Sequence, residues 1–175
     1  NSIEDTRYDV SIELTPRVLH EVYLPHFRQV VQQGRLASVM TAYNRVNGTY
    51  ASENAELLGI LDDWGFHGFV TSDWVYGVHS TVGSLEAGLH LEMPNPVHFG
   101  EPLVDALADG SADSARVDAA VRRMLRARFC FEHHQPQPRD VIASPAHVTL
   151  ARRSATQATV LLKNDGVLPL AGSVA

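Results

Sequence analysis

The chain has 175 residues, 45% hydrophobic and 19% charged, with no charge block or low-complexity tract, so it can bury an ordinary globular core. Fourteen Lys and Arg against 20 Asp and Glu leave a net charge of −6, which excludes the basic face a nucleic-acid partner requires. No apolar run approaches the roughly 18 residues of a membrane span.

The opening NSIEDTRYDV has neither the basic nor the apolar region of a signal peptide. Thr15-Pro16 then supplies an N-cap with proline at the first helical position. Val18, Leu19, Val22, Phe27, Val30 and Val31 follow on one face at helical spacing, up to Gly34. Pro25 inside this run predicts a kink. LASVMTAY, residues 36–43, is a short apolar run ahead of the turn signal Asn47-Gly48 and reads as a strand. Asn54 caps a second helix carrying Leu57, Leu58, Leu61 and Trp64, closed by Gly65. GFVTSD, residues 68–73, is a second strand, and AGLHLEMP, residues 87–94, a third that enters a loop at Pro94 and Pro96.

Helices are predicted over 102–108 and after Ser114, the latter with Val117, Ala120, Val121, Met124 and Leu125 on its apolar face. The lone Cys130 excludes an internal disulfide, leaves the compartment undecided, and is expected to fill apolar space on that helix. Residues 132–143, with two prolines and little apolar content, read as a linker. Ser144-Pro145 opens another helix, and TVLLKNDGVLPL reads as a strand, an Asp-Gly turn and a second extended piece. Strands alternating with helices at this spacing indicate a parallel α/β architecture, although three strands are too few for a barrel of eight.

One strand end stands out. The apolar pair Phe69-Val70 stops at Thr71-Ser72-Asp73-Trp74, a carboxylate between a hydroxyl and an indole. On the pattern alone, an aspartate capping the following turn is the more ordinary reading. Nine histidines show no HxH or HxxxH spacing, so no metal site and no cofactor is expected.

Four segments, SVMTAYNRVNGTYASEN, WGFHGFVTSDW, AGLHLEMP and TVLLKNDGVLPL, resemble in order and spacing the retaining β-glucosidases of glycoside hydrolase family three, over nearly the whole chain. The resemblance implies the later part of a (β/α)8 barrel over residues 1–131, an interdomain linker over 132–150, and the start of an α/β sandwich domain over 151–175. It implies a retaining exo-glycosidase releasing terminal β-D-glucosyl residues, with a small carbohydrate substrate and the rest of the same polypeptide as partners. Asp73 matches the family's nucleophile, Tyr43 the tyrosine that contacts it, and Arg7 an arginine that hydrogen-bonds sugar hydroxyls. Trp74 would wall the sugar face, and Met40, on the preceding strand, belongs to the wall of the substrate site rather than to its polar centre.

The same resemblance places a Lys-His pair before Asn1 and the acid/base glutamate after Ala175, so this stretch by itself is expected to be inactive. Glu92 is not the family's acid and reads either as a support behind the site residues or as an anchor for the loop after it. At His90 the family usually has aspartate. Cleavage of N-acetylglucosaminides or β-xylosides, and non-catalytic carbohydrate binding, are the competing readings.

Overall fold

The computed structural model describes residues 3–34, 36–131 and 138–170. It divides into two compact units, Asn1–His133 and His134–Ala175.

In the first unit, Thr15 caps a short helix α1 (Pro16–Val18) by accepting the Val18 amide. The backbone then widens into a π-helical turn at Leu19–Tyr23 before α2 (Pro25–Gly34) begins. Pro25 therefore starts a second helix rather than bending one, because proline has no amide to give the preceding turn and fits the first helical position. The break rotates the apolar stripe. Leu19, Leu24 and Val31 are buried, whereas Val18, Val22, Phe27 and Val30, expected on the same inward face, are exposed.

Strand β1 (Ser11–Ile12) lies parallel to β3 (Arg45–Val46), which turns through Asn47-Gly48 into the antiparallel β4 (Thr49–Tyr50). Both turn residues have positive φ, 51° and 84°, the requirement of a tight two-residue hairpin loop. The Asn47 side chain also accepts the Leu14 amide at 2.7 Å, which ties the hairpin to the chain before α1.

The expected strand over 36–43 forms only at β2 (Ser38–Met40). It runs parallel to β5 (Phe69–Thr71), with Val39 opposite Val70 and Met40 opposite Thr71. Between them α3 (Ala55–Asp63) is capped by the Asn54 side chain, which accepts the Leu57 amide. Leu58 and Leu61 of α3 meet Phe66, Val70, Val78 and Leu89 in the main core, each buried apolar side chain contributing roughly 1.5–3 kcal/mol.

The third expected strand is corrected. Its first residue lies in α4 (Val82–Ala87), and after Gly88 only Leu91 bridges to Thr71. The ladder stops there because the next amide, that of Met93, is taken by the Ser72 hydroxyl at 2.9 Å.

Helices α5 (Glu101–Ala108) and α6 (Ser114–Phe131) follow. Arg123 on α6 donates to the carbonyls of Phe66 and Gly68 and pairs with Asp62, pinning α6 to the loop that feeds β5. Of the apolar face expected on α6, Ala120 is buried, while Val121 and Leu125 are exposed. Cys130 is exposed too, since the last turns of α6 contribute no buried residue. Among the described residues the strands form one sheet of order β1-β3-β4 and one pair β2-β5, with no closed barrel.

In the second unit, Ser144 caps α7 (Pro145–Ala158), a helix continuous across 150/151, where the sandwich domain was expected to begin. Part of the expected linker, residues 132–137, lies outside the described residues. Residues 159–170 form no strand among the described residues, against expectation. The Asn164 side chain instead closes the turn, accepting the amides of Gly166 and Leu168 and donating to the Leu168 carbonyl. A two-stranded ribbon gains too little by itself to form without a neighbouring strand.

Candidate active site

Asp73 lies two residues beyond the end of β5 (Phe69–Thr71). Ser72 is fully buried, its amide donating to the Leu91 carbonyl and its hydroxyl accepting the Met93 amide. Those two bonds fix the backbone on one side of Asp73. On the other side Gly77 packs so closely that a Cβ there would sit 2.5 Å from the Asp73 carbonyl oxygen. The carboxylate is thus carried by backbone held at both ends, while its own side chain remains half-buried and reachable.

Asp73 Oδ1 accepts the Trp74 amide at 2.7 Å. Tyr43, just beyond β2, donates its hydroxyl proton to the Trp74 carbonyl at 2.8 Å, which sets the phenol beside the Asp73 carboxylate. Burial, then the bond to Asp73 and its negative charge, push the Tyr43 phenol up to about 12, so it stays a proton donor throughout the neutral range.

Tyr8 tilts against Tyr43 at 4.7 Å between ring centroids and meets the edge of Tyr76 at 5.3 Å. Arg7 donates to the Tyr8 hydroxyl at 3.0 Å and pairs with Glu4 at 2.6 Å. A continuous set therefore runs Arg7, Tyr8, Tyr43, Asp73, with the exposed indole of Trp74 alongside. Four of the five residues singled out in the sequence come together here. Met40 does not. It lines an apolar cavity of about 300 Å3 with Tyr23, Phe27, Val39 and Trp64, none of them in the polar set.

Two neighbours acquire definite roles. Glu92, 8% exposed, accepts the amides of His98 and Phe99 through one oxygen, at 2.8 and 2.7 Å, and so anchors the loop after Pro94. His90 accepts the Val70 amide on Nδ1 at 2.8 Å, a task the aspartate usual at that position could also perform. Burial, then the nearby Arg123 charge, lower its pKa to about 4, consistent with a neutral acceptor ring.

Sequence reasoning missed Tyr8 and assigned no role to the Ser72 hydroxyl, although each adjoins a residue it did select. It also missed Val75, whose φ is +67°. A β-branched side chain gives no hint of that backbone, which costs on the order of 1–3 kcal/mol.

A held but accessible carboxylate beside a donor phenol, an arginine and an aromatic wall is an arrangement suited to nucleophilic attack on a sugar. The sequence profile of the Glycosyl hydrolase family 3 N terminal domain matches residues 4–127, and the chain belongs to that family. It is 41% identical to a β-glucosidase of Rhizobium radiobacter over 179 aligned positions, covering 99% of this chain and 22% of that protein. The crystal structure of a family 3 β-glucosidase from Bifidobacterium adolescentis superposes with a TM-score of 0.73 at 35% identity, over 96% of this chain and 25% of that one. DesR, a β-glucosidase from Streptomyces venezuelae solved in complex with D-glucose, gives 0.79 at 31% identity, over 98% of this chain and 24% of DesR. The chain thus spans about a quarter of the length of the proteins it matches.

Proposed function

We propose that the polypeptide carrying this chain is a retaining, exo-acting β-glycosidase that hydrolyses terminal β-D-glucosyl residues. The observation that carries the reading is Asp73, held at a strand end between the Trp74 amide and the Tyr43 hydroxyl in a family 3 chain. Asp73 attacks the anomeric carbon from the α face as the glycosidic C–O bond breaks, and the leaving oxygen takes a proton from a second carboxylic acid. In a retaining enzyme the two carboxyl groups stand roughly 5–5.5 Å apart. Glu92 is committed to two backbone amides and is not that acid on this reading, which by the family resemblance assigns the acid to the sandwich domain. Water then attacks the glycosyl ester on the β face and restores Asp73.

Tyr43 steadies the carboxylate before attack. Arg7 offers a planar fork to vicinal hydroxyls, Trp74 a wall for the sugar face, and Met40 an apolar wall further off. On this reading residues 1–131 are the later part of a (β/α)8 barrel, 132–150 an interdomain linker and 151–175 the start of the sandwich domain. The apolar cavity around Met40 then faces the barrel's remaining elements. The D-glucose in DesR and the naming of the relatives as β-glucosidases support glucose over xylose or N-acetylglucosamine.

Proton NMR of the first product from an aryl β-glucoside tests this. β-Glucose appearing before mutarotation is expected, and initial α-glucose would refute the nucleophilic role of Asp73.

A further inference from the structure

Immediately after Asp73 the chain doubles back across a single residue. The Tyr76 amide donates to the Trp74 carbonyl at 2.7 Å, and Val75 between them has φ +67°. This is the rare, strained form of γ-turn, and a β-branched residue is among the least suited to it. Val75 is 56% exposed, so burial of its side chain does not offset the strain. Such a conformation persists only where the surroundings over-determine it. Here the Val75 amide is held by the Met93 carbonyl at 3.0 Å, and Gly77 is closed against the Asp73 backbone.

The turn holds the Trp74 carbonyl. The Tyr43 hydroxyl donates its one proton to that carbonyl at 2.8 Å, which sets the phenol beside the Asp73 carboxylate. The carbonyl thus accepts from both the Tyr76 amide and the Tyr43 hydroxyl. The turn also fixes the peptides that flank Trp74, and the Trp74 amide is the group that holds Asp73 Oδ1.

We infer that the γ-turn at Val75 is a positioning device for the nucleophile, holding the Trp74 carbonyl where it receives the Tyr43 hydroxyl and locking the Trp74 amide onto Asp73 Oδ1. Val75 is a positioning residue in this sense, and the inference rests on the nucleophilic role proposed above. Opening the turn would carry the Trp74 carbonyl away from the Tyr43 hydroxyl and let the Asp73–Trp74 peptide swing.

The test uses the full-length polypeptide and an aryl β-glucoside. Val75→Pro forbids positive φ and removes the amide bonded to Met93. It should lower kcat at least about tenfold while KM stays within about threefold, since a displaced reacting group costs rate more than binding. Val75→Gly accepts the same φ without strain, so it should hold kcat within about threefold and raise Tm by a few degrees. In a Tyr43→Phe background the effect of Val75→Pro should shrink to less than about threefold, because the two act through one contact. Tyr76→Pro, compared with Tyr76→Ala, breaks the same turn by a second route and should reproduce the kcat loss.

A folded Val75→Pro enzyme with near-normal kcat would overturn the inference, as would Val75→Gly proving as slow as Val75→Pro. If neither proline variant folds, the Tm of Val75→Gly decides, because a fall would mean that no strain is stored. A wild-type protein inactive on β-glucosides would instead remove the function itself, an outcome distinct from any of these.

Discussion

Asp73 and Glu92 are both carboxylates beside the same strand end, and the structure predicts opposite consequences of deleting them. Asp73 accepts one backbone amide, lies beside the Tyr43 phenol and remains half-buried. Asp73→Ala therefore forfeits about 1–2 kcal/mol of hydrogen bonding, with the freed groups still within reach of water. Glu92 is 8% exposed and satisfies two amides through a single oxygen, so Glu92→Ala strands both donors and should cost roughly 3 kcal/mol or more. Activity should fall the other way. Under the proposed function, loss of Asp73 should remove several orders of magnitude from kcat, whereas loss of the loop anchor should cost about tenfold or less.

The assay pairs Tm with kcat/KM on an activated aryl β-glucoside, with and without azide. In Asp73→Ala, azide can occupy the vacated space, attack from the nucleophile's face and release the α-glycosyl azide. A missing general acid would yield the β-azide instead. If Glu92→Ala loses as much activity as Asp73→Ala and is the variant that yields the α-azide, the nucleophile has been assigned to the wrong carboxylate.

Three further outcomes follow from the packing. His90 has a folded pKa of about 4 against 6.5 for the free side chain, so the unfolded chain binds more protons between those values. Stability should be full above about pH 6.5 and fall by roughly 2 kcal/mol as the pH drops toward 4. His90→Asn, whose amide oxygen can accept the Val70 amide without titrating, should flatten that slope in Tm measured from pH 7 to 4.5. Gly68→Ala would place a Cβ 2.8 Å from the Ala37 carbonyl carbon, backbone against backbone where β5 enters its pair, and should cost about 2 kcal/mol or more in urea unfolding. Arg123→Lys keeps the charge but cannot serve two carbonyls and Asp62 from one rigid fork, so roughly 1–2 kcal/mol should be lost in the same measurement.

Local chemistry determined much of this chain before any tertiary contact was known. Thr15, Asn54 and Ser144 cap helices because their side-chain oxygens accept an amide three residues on, and Asn47-Gly48 makes a tight turn because both tolerate positive φ. The family resemblance, through four ordered motifs and the opening NSIEDTR, also pointed to Asp73, Tyr43, Trp74 and Arg7, which the fold brings near one another.

Tertiary structure decided what depends on partners distant in sequence. AGLHLEMP has the composition of a strand, yet Ser72 takes the Met93 amide and ends the ladder after a single bridge. TVLLKNDGVLPL has the residues of a hairpin but no neighbouring strand among the described residues to pair with. Met40 alternates correctly along β2 and still faces an apolar cavity, because the sense of alternation is set by which layer covers each face. Val75 is the extreme case. Nothing in a valine specifies positive φ, and only the combined hold of the Met93 carbonyl, the Tyr76 amide and the close approach of Gly77 imposes it.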